Sequence, residues 1–383
     1  MHKLRTLAAG IAVAATAAMV ASAVPALADP PVSAGKQIVP KDYDVVSVGA
    51  NTDENLFNAL AGDYNKTIPA KKHRSALPYL YTWNATKPGS TSTVVTKIST
   101  KAGCSSIVRP NGSGAGLTAL DLNAVSSINK KDYCIDFARS SSGRSSTAPA
   151  EKPGGVGYVA LAEDAVTWAV RDVAAKGQTV TYAPKSLSLA QLRAIFLCTV
   201  TTWGQVGGTA GQPIKPYLPQ TGSGTLSFWL KALGITTAGS CVNESLEENQ
   251  GLSKEFNSPN AIFIYSVGDW IAQKYNSPLP GHKPAAGQNA FGTDQVGYLG
   301  LGKINGVSAL TLAKVPAINK GFRVTGFTRT LYDIVRYQAK GDHIPANLDR
   351  ILGRTGYFCH NTTATRAIES YGFLPALTCG SIS

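Results

Sequence analysis

Apolar runs of strand length alternate along the chain with longer stretches whose apolar residues recur at helical spacing. The run YDVVSVGA, Tyr43 to Ala50, predicts a buried strand. Asn51 and Thr52 follow as candidate helix caps, and DENLFNALAGDY predicts a helix with acidic residues in its first turn. YLYTWNAT predicts a second strand. RPNGSGAGLTAL, Arg109 to Leu120, opens on turn residues and closes on a helix start. YCIDFARSSSGRSS, Tyr133 to Ser146, predicts a strand running into a Ser/Arg-rich loop, and VGYVALAEDAVTWAV is a long β-rich stretch. SLSLAQLRAIFLCTV predicts a helix capped by Ser188, with Leu189, Leu192, Ile195 and Phe196 on one face. IKPYLP predicts a strand, and TLSFWLKALG a helix that ends at Gly234. Further on, NAIFIYSVGDWIAQK and VGYLGLG read as helix and strand segments, FTRTLYDIVRYQAK as a mixed segment, and TTATRAIESYGF as a C-terminal helix.

Strands alternating with helices predict an α/β fold. In open α/β sheets, ligands bind where strand ends open into helices. Four polar loops have that character: Asn51-Thr52, Gly112-Ser113-Gly114, Arg139-Ser140-Ser141-Ser142 and Gly222-Ser223-Gly224-Thr225. Each alone reads as a cap or a turn. Together they read as a cradle for an anion, because glycine admits a ligand close to the backbone and the first N–H groups of a helix lack intrahelical partners. Arg139 would add a forked, charged donor.

Composition narrows the class. The chain has 383 residues, 44% hydrophobic and 15% charged, which excludes a disordered chain or a coiled coil and suits two domains or one large α/β unit. Its formal charge is +13, but the basic residues are scattered, so the sequence gives no sign of a nucleic-acid partner. Residues 1–28 read as a secretory leader: Lys3 and Arg5, an Ala-rich apolar stretch, then Ala26-Leu27-Ala28 before Asp29. No cysteine follows the apolar stretch, so a lipid-attachment signal is absent and the mature chain is expected outside the cell or at its surface. Six cysteines (Cys104, Cys134, Cys198, Cys241, Cys359 and Cys379) fit export as three disulfides. Of the fifteen pairings, the simplest joins neighbours: 104 to 134, 198 to 241 and 359 to 379. No Cys/His cluster points to a metal.

Catalytic patterns are weak. There is no G-x-S-x-G elbow, and neither GSGAG nor TGSGT is followed by the lysine of a P-loop. Of the histidines past the leader, at 73, 282, 343 and 360, His282 and His343 sit in loop-like strings and read as surface residues, and Glu247, Glu248 and Asn249 read as a solvated helix face. The reading expects no enzyme, no cofactor and no metal.

With SVGANT, NGSGAG, IDFARSS and PQTGSGT in this order, the chain resembles type 2 extracellular solute-binding proteins, most closely the phosphate-binding component of phosphate ABC transporters. VGYVALAEDA, LRAIFLCTVTTWGQ and VGYLGLG extend the resemblance across most of residues 44–335. It implies a two-lobe, periplasmic-binding-protein-like fold, each lobe a mixed sheet flanked by helices, with a ligand cleft between. Lobe I would comprise 29–162 and 323–383, and lobe II 163–322. Carried over residue by residue, Asn51 and Thr52, Ser113 with Gly114, Ser140 and Ser141, and Gly222, Ser223, Gly224 and Thr225 would line the cleft. Two family positions differ: the acidic residue that accepts a phosphate proton falls on Ser141, and the arginine falls on Pro219. Arg139 is the candidate replacement cation. The implied function is an exported monomer that binds phosphate or a related small oxyanion by closure and serves an ABC permease. The rival readings are a secreted interaction or adhesion protein on the same fold, and a secreted serine hydrolase.

Overall fold

The structure, a computed structural model, describes residues 29–30, 32–33, 36–87, 95–173, 178–275, 296–341 and 343–382. The leader expected at 1–28 and His282 lie outside the described residues. Ten strands among the described residues form one mixed sheet. They are β1 (Val45–Gly49), β2 (Leu80–Thr82), β3 (Phe137–Ser140), β4 (Val156–Arg171) and β5 (Lys215–Pro219). The rest are β6 (Asn243–Leu246), β7 (Ala261–Ser266), β8 (Leu299–Leu301), β9 (Thr328–Arg336) and β10 (Leu374–Pro375). The spatial order is β6-β5-β7-β4-β9-β3-β1-β2, with β8 and β10 also pairing to β4.

The long apolar run at 156–171 explains the architecture. As one strand, nearly every residue buried, β4 is shared by both halves of the molecule. Residues 156–165 pair antiparallel with β9, and residues 166–169 pair antiparallel with β7. The sheet therefore carries two lobes with separate cores. Lobe II packs Trp168, Phe196, Trp203, Leu218, Trp229 and Phe263 together. Lobe I packs Phe57, Leu60, Phe137, Leu331, Phe358 and Ile368 on one sheet face, and Val46, Val48, Leu120, Ala138 and Ile334 on the other. Burying side chains of this size stabilises each core by roughly 1.5–3 kcal/mol per residue before the entropic cost of ordering them.

The helices are α1 (Glu54–Lys66), α2 (Ser113–Asp121), α3 (Leu189–Phe196) and α4 (Gly224–Leu233). They are followed by α5 (Val267–Tyr275), α6 (Ala346–Leu352), the single turn α7 (Tyr357–His360) and α8 (Thr362–Ser370). Ser188 caps α3 in a reciprocal capping box with Gln191, and Gly234 ends α4 in the left-handed conformation. One expectation fails: Asn51 and Thr52 do not cap α1. Its N-cap is Asp53, because residues 51–54 first close a turn in which Glu54 N donates to Asn51 O at 3.1 Å. That turn leaves both side chains clear of the helix.

The three disulfides join Cys104 to Cys134, Cys198 to Cys241 and Cys359 to Cys379. Asp29, the residue after the expected leader, is buried. Its carboxylate receives both terminal nitrogens of Arg109 at 2.7 Å, and Arg109 lies over the Trp83 ring.

Candidate functional site

The C-terminal ends of β1, β3 and β5 converge where the two lobes meet. From lobe I come Asn51 and Thr52 after β1, Asn111 to Gly114 at the start of α2, and Ser141 after β3. From lobe II come the loop 220–225 at the start of α4 and the loop 247–250 after β6. The backbones touch: Gly114 N donates to Gly222 O at 3.2 Å. Only glycine permits this at 112, where φ is +98° and a Cβ would stand 2.4 Å from Gly222 O. At Gly224 a Cβ would meet the Ser113 hydroxyl at 2.2 Å.

Hydroxyls from both lobes gather in this buried seam. Thr52 Oγ1 lies 3.1 Å from Thr225 Oγ1 across the lobes, and Ser113 Oγ lies 3.4 Å from Ser141 Oγ. Ser113 Oγ also accepts Ser141 N at 3.0 Å. The Ser223 hydroxyl caps α4 by accepting Leu226 N, and it donates to Glu248.

The cation at the centre is Arg329, on β9, only 6% exposed. Its Nη1 donates to Thr225 Oγ1 at 2.9 Å and to Ser141 O at 3.0 Å, and its Nη2 to Thr52 Oγ1 at 3.4 Å. It is held from behind by Asp164 on β4, its direct cross-strand partner, through Nε at 3.0 Å and Nη2 at 2.8 Å. Asp164 is in turn fixed by Gly268 N at 3.1 Å. A forked guanidinium held this way keeps donors aimed into the seam without a rotamer to freeze on binding.

Arg139 does not reach this cluster, contrary to the expectation that it replaces the missing cation. It is fully buried beneath the first loop, where its donors go to Ala50 O, Trp83 O, Ser47 Oγ and Thr82 Oγ1. Residues 139 and 141 share one phase of the pleat, but Arg139 lies within β3, beneath the first loop, whereas Ser141 stands just past the strand end, where the chain opens to the cleft. Ser140 also differs from its neighbour: its hydroxyl donates to Ser142 O within its own loop, at 2.8 Å.

Glu247, Glu248 and Asn249 are buried rather than solvated, and they lie in a loop. Glu248 accepts from Ser223 and from Thr52 at 3.4 Å, so it is the acceptor carboxylate of the seam. Glu247 accepts Asn111 Nδ2 at 3.0 Å and Gln220 Nε2 at 2.9 Å, tying the lobes together. Asn249 Nδ2 reaches Asn51 Oδ1 at 3.4 Å. The sequence marks Arg329 and Asp164 only as charged residues whose same-face neighbours, Phe327 and Leu331, Ala162 and Val166, are apolar; that pattern points to burial and not to their pairing or to a site.

Burial sets the protonation of the carboxylates. It pushes Glu247 up to about 7, against hydrogen bonds from Asn111 and Gln220, and the charge of Glu248 pushes the same way. Asp53 is pushed by burial up to about 7 although Arg139 opposes it, and Glu54 by burial to about 8. Asp333, beside Asp53 and Arg139, is driven well above the usual carboxylate range by burial. Among the described residues no group of three or more His, Cys, Asp or Glu can hold a metal ion. Nor does any histidine among them bond a serine of the seam; His73 bonds Asp44, and His343 bonds Gln338 O.

A family model described as the PBP superfamily domain matches residues 81–331. Among solved structures, one similar protein is described as a phosphate ABC transporter substrate-binding protein from Clostridium perfringens, with bound phosphate. The identity is 14%, the TM-score is 0.54, and the match covers 87% of this chain and 99% of that one. Another is an ABC-type phosphate transport receptor from Vibrio cholerae, at 15% identity and a TM-score of 0.51, covering 86% and 99%. No curated protein matches by sequence. No helix among the described residues is long and apolar enough to cross a membrane.

Proposed function

Since the chain belongs to the PBP superfamily, we propose that it is an exported solute-binding protein that captures a tetrahedral oxyanion, phosphate first, by closing its lobes. The observation that carries this is the buried Arg329 bonding to hydroxyls of both lobes at once. An oxyanion seated there would replace the direct Thr52–Thr225 contact and take donors from Thr52, Ser113, Ser141, Thr225 and Arg329. The first N–H groups of α4 would add partial positive charge. Lobe movement would pivot where β4 changes partner between Ala165 and Val166 and where the chain re-enters β9 at Thr328. We accordingly assign lobe I to 29–165 and 328–382, and lobe II to 166–327.

Glu248 explains how the site can dispense with an acidic residue at position 141. A carboxylate that accepts a hydrogen bond suits a ligand oxygen carrying a proton and repels one that does not. This favours hydrogen phosphate over sulfate. The fold shared with the two transport proteins supports delivery of the ligand to an ABC permease.

Thermal unfolding of the mature protein against a panel of oxyanions tests the reading. Phosphate at about 100 times its Kd should add about 2.7 kcal/mol to the unfolding free energy. Glu248→Gln should narrow the preference for phosphate over sulfate. A transition that no oxyanion moves would overturn the reading. The mass of the secreted protein, which should place its first residue at Asp29, checks the export half.

A further inference from the structure

We propose that the ligand is a phosphomonoester of a sugar-like, polyhydroxylated group rather than free phosphate alone. The proposal rests on the oxyanion reading above. Beside the seam, on the side of α2 and α4, lies an interlobe cavity of about 750 Å³. Such a volume is far more than a tetrahedral oxyanion fills, and it lies within the roughly 300–1,000 Å³ of small-molecule sites. Ser113, Gly114, Gly222 and Arg329 line both the seam and the cavity, so an oxyanion held by them has one face open into it.

The cavity wall matches a sugar better than a second anion or an apolar chain. Phe228, Tyr158 and Tyr332 supply ring surface, and Ser227, Thr328 and Thr330 bring hydroxyls between the rings. Phe228 already stacks on Arg329, with the guanidinium 5.6 Å from the ring centre, which links the oxyanion end to the ring end. Lys231 stands on the exposed rim and forms no ion pair among the described residues. Besides Arg329, the wall's other cation is Arg144; its Nη1 and Nη2 donate to Pro149 O and Val156 O, and its guanidinium lies over the Tyr158 ring. Beyond Arg329 at the oxyanion end and Arg144 packed on Tyr158, one ammonium on the rim among many hydroxyls and rings favours a neutral, hydrogen-bonding group over a chain of phosphates.

Isothermal titration of the mature protein with inorganic phosphate, glucose 6-phosphate, ribose 5-phosphate and glucose tests this. At least one sugar phosphate should bind about ten-fold or more tighter than inorganic phosphate, and glucose alone should not bind measurably. Ser227→Trp, which fills the cavity from an exposed helix position, should remove that advantage and leave phosphate affinity unchanged; Lys231→Ala should reduce it. Equal affinities, or binding of inorganic phosphate only, would overturn the ester while leaving the oxyanion reading intact. Sugar phosphate binding that Ser227→Trp does not alter would place the organic group elsewhere and also overturn it. Absence of binding by every probe would sink both readings.

Discussion

Two arginines lie on adjacent strands of this sheet, offset along them, alike in burial and chemistry and different in what they can sense. Arg139 on β3 faces Asp333 across the ladder, and Arg329 on β9 faces Asp164. The donors of Arg139 all end on lobe I groups, namely Ala50 O, Trp83 O, Ser47 and Thr82. Those of Arg329 are divided: Asp164, Ser141 O and Thr52 belong to lobe I, and Thr225 belongs to lobe II. A buried cation bonded within one lobe can only hold that lobe in shape. One bonded across both changes its partners when they separate, so its energy depends on closure.

Removing each arginine is the strongest way to break that comparison. Arg139→Ala should lower the unfolding free energy by about 3–5 kcal/mol, since it strands buried carbonyls and the carboxylates Asp53 and Asp333. Oxyanion affinity of the folded protein should change by less than about three-fold. Arg329→Ala should destabilise through the stranded Asp164 and also weaken oxyanion binding by about a hundred-fold or more, roughly 3 kcal/mol. Denaturant melts and titrations on the two variants decide it. If Arg139→Ala alone abolished binding, the roles assigned here would be reversed.

The same pair shows how far the sequence could be read. Arg139 stood in a loop-like string, FARSSSGR, next to serines that do reach the cleft, and so it looked like a ligand. Position along the strand decides the matter: 139 and 141 share one phase of the pleat, but β3 continues through Ser140, so Arg139 is held inside lobe I while Ser141 stands just past the strand end, at the seam. Arg329 stood in FTRTLYDIV, where no loop or glycine marks a site. Its role comes from pairing with Asp164, a hundred and more positions away, and pairing of that kind has no local signature. The strand-to-helix loops were legible because glycine, serine and threonine at helix starts carry their own geometry. Glu248 was not, because a short acidic run looks solvated until a second lobe is placed over it.

A weaker effect, acid–base linkage, belongs to the Arg139 side. Asp53 is held at about 7 and Glu54 at about 8, both chiefly by burial, and Asp333 is raised well above its usual value. A carboxylate whose folded pKa is raised binds more protons folded than unfolded, so its contribution is full below about 4 and is lost as pH rises through the folded pKa. Melting temperature should therefore fall between about pH 5 and pH 8, and Asp53→Asn should flatten that fall. A profile that rises across this window, or one indifferent to Asp53→Asn, would mean that the carboxylates around Arg139 are ionised and paired in the folded protein.

The smallest effect is the sharpest on geometry, because it separates adjacent residues. Ser141 places its hydroxyl against Ser113 and its carbonyl on Arg329, whereas the Ser140 hydroxyl closes a turn with Ser142 O. Ser141→Ala should cost about one hydrogen bond to the bound oxyanion, roughly 1 kcal/mol, and weaken affinity by about five- to ten-fold. Ser140→Ala should leave affinity within about two-fold, since the lost bond is local and its acceptor lies near solvent. Both variants retain the backbone of β3, so titration with phosphate compares hydroxyls alone. Equal losses at the two positions would mean that the loop rearranges on closure and that the pleat does not dictate which serine meets the ligand. A loss at Ser141 alone would make the step past the end of β3 the feature that distinguishes a lining serine from a structural one.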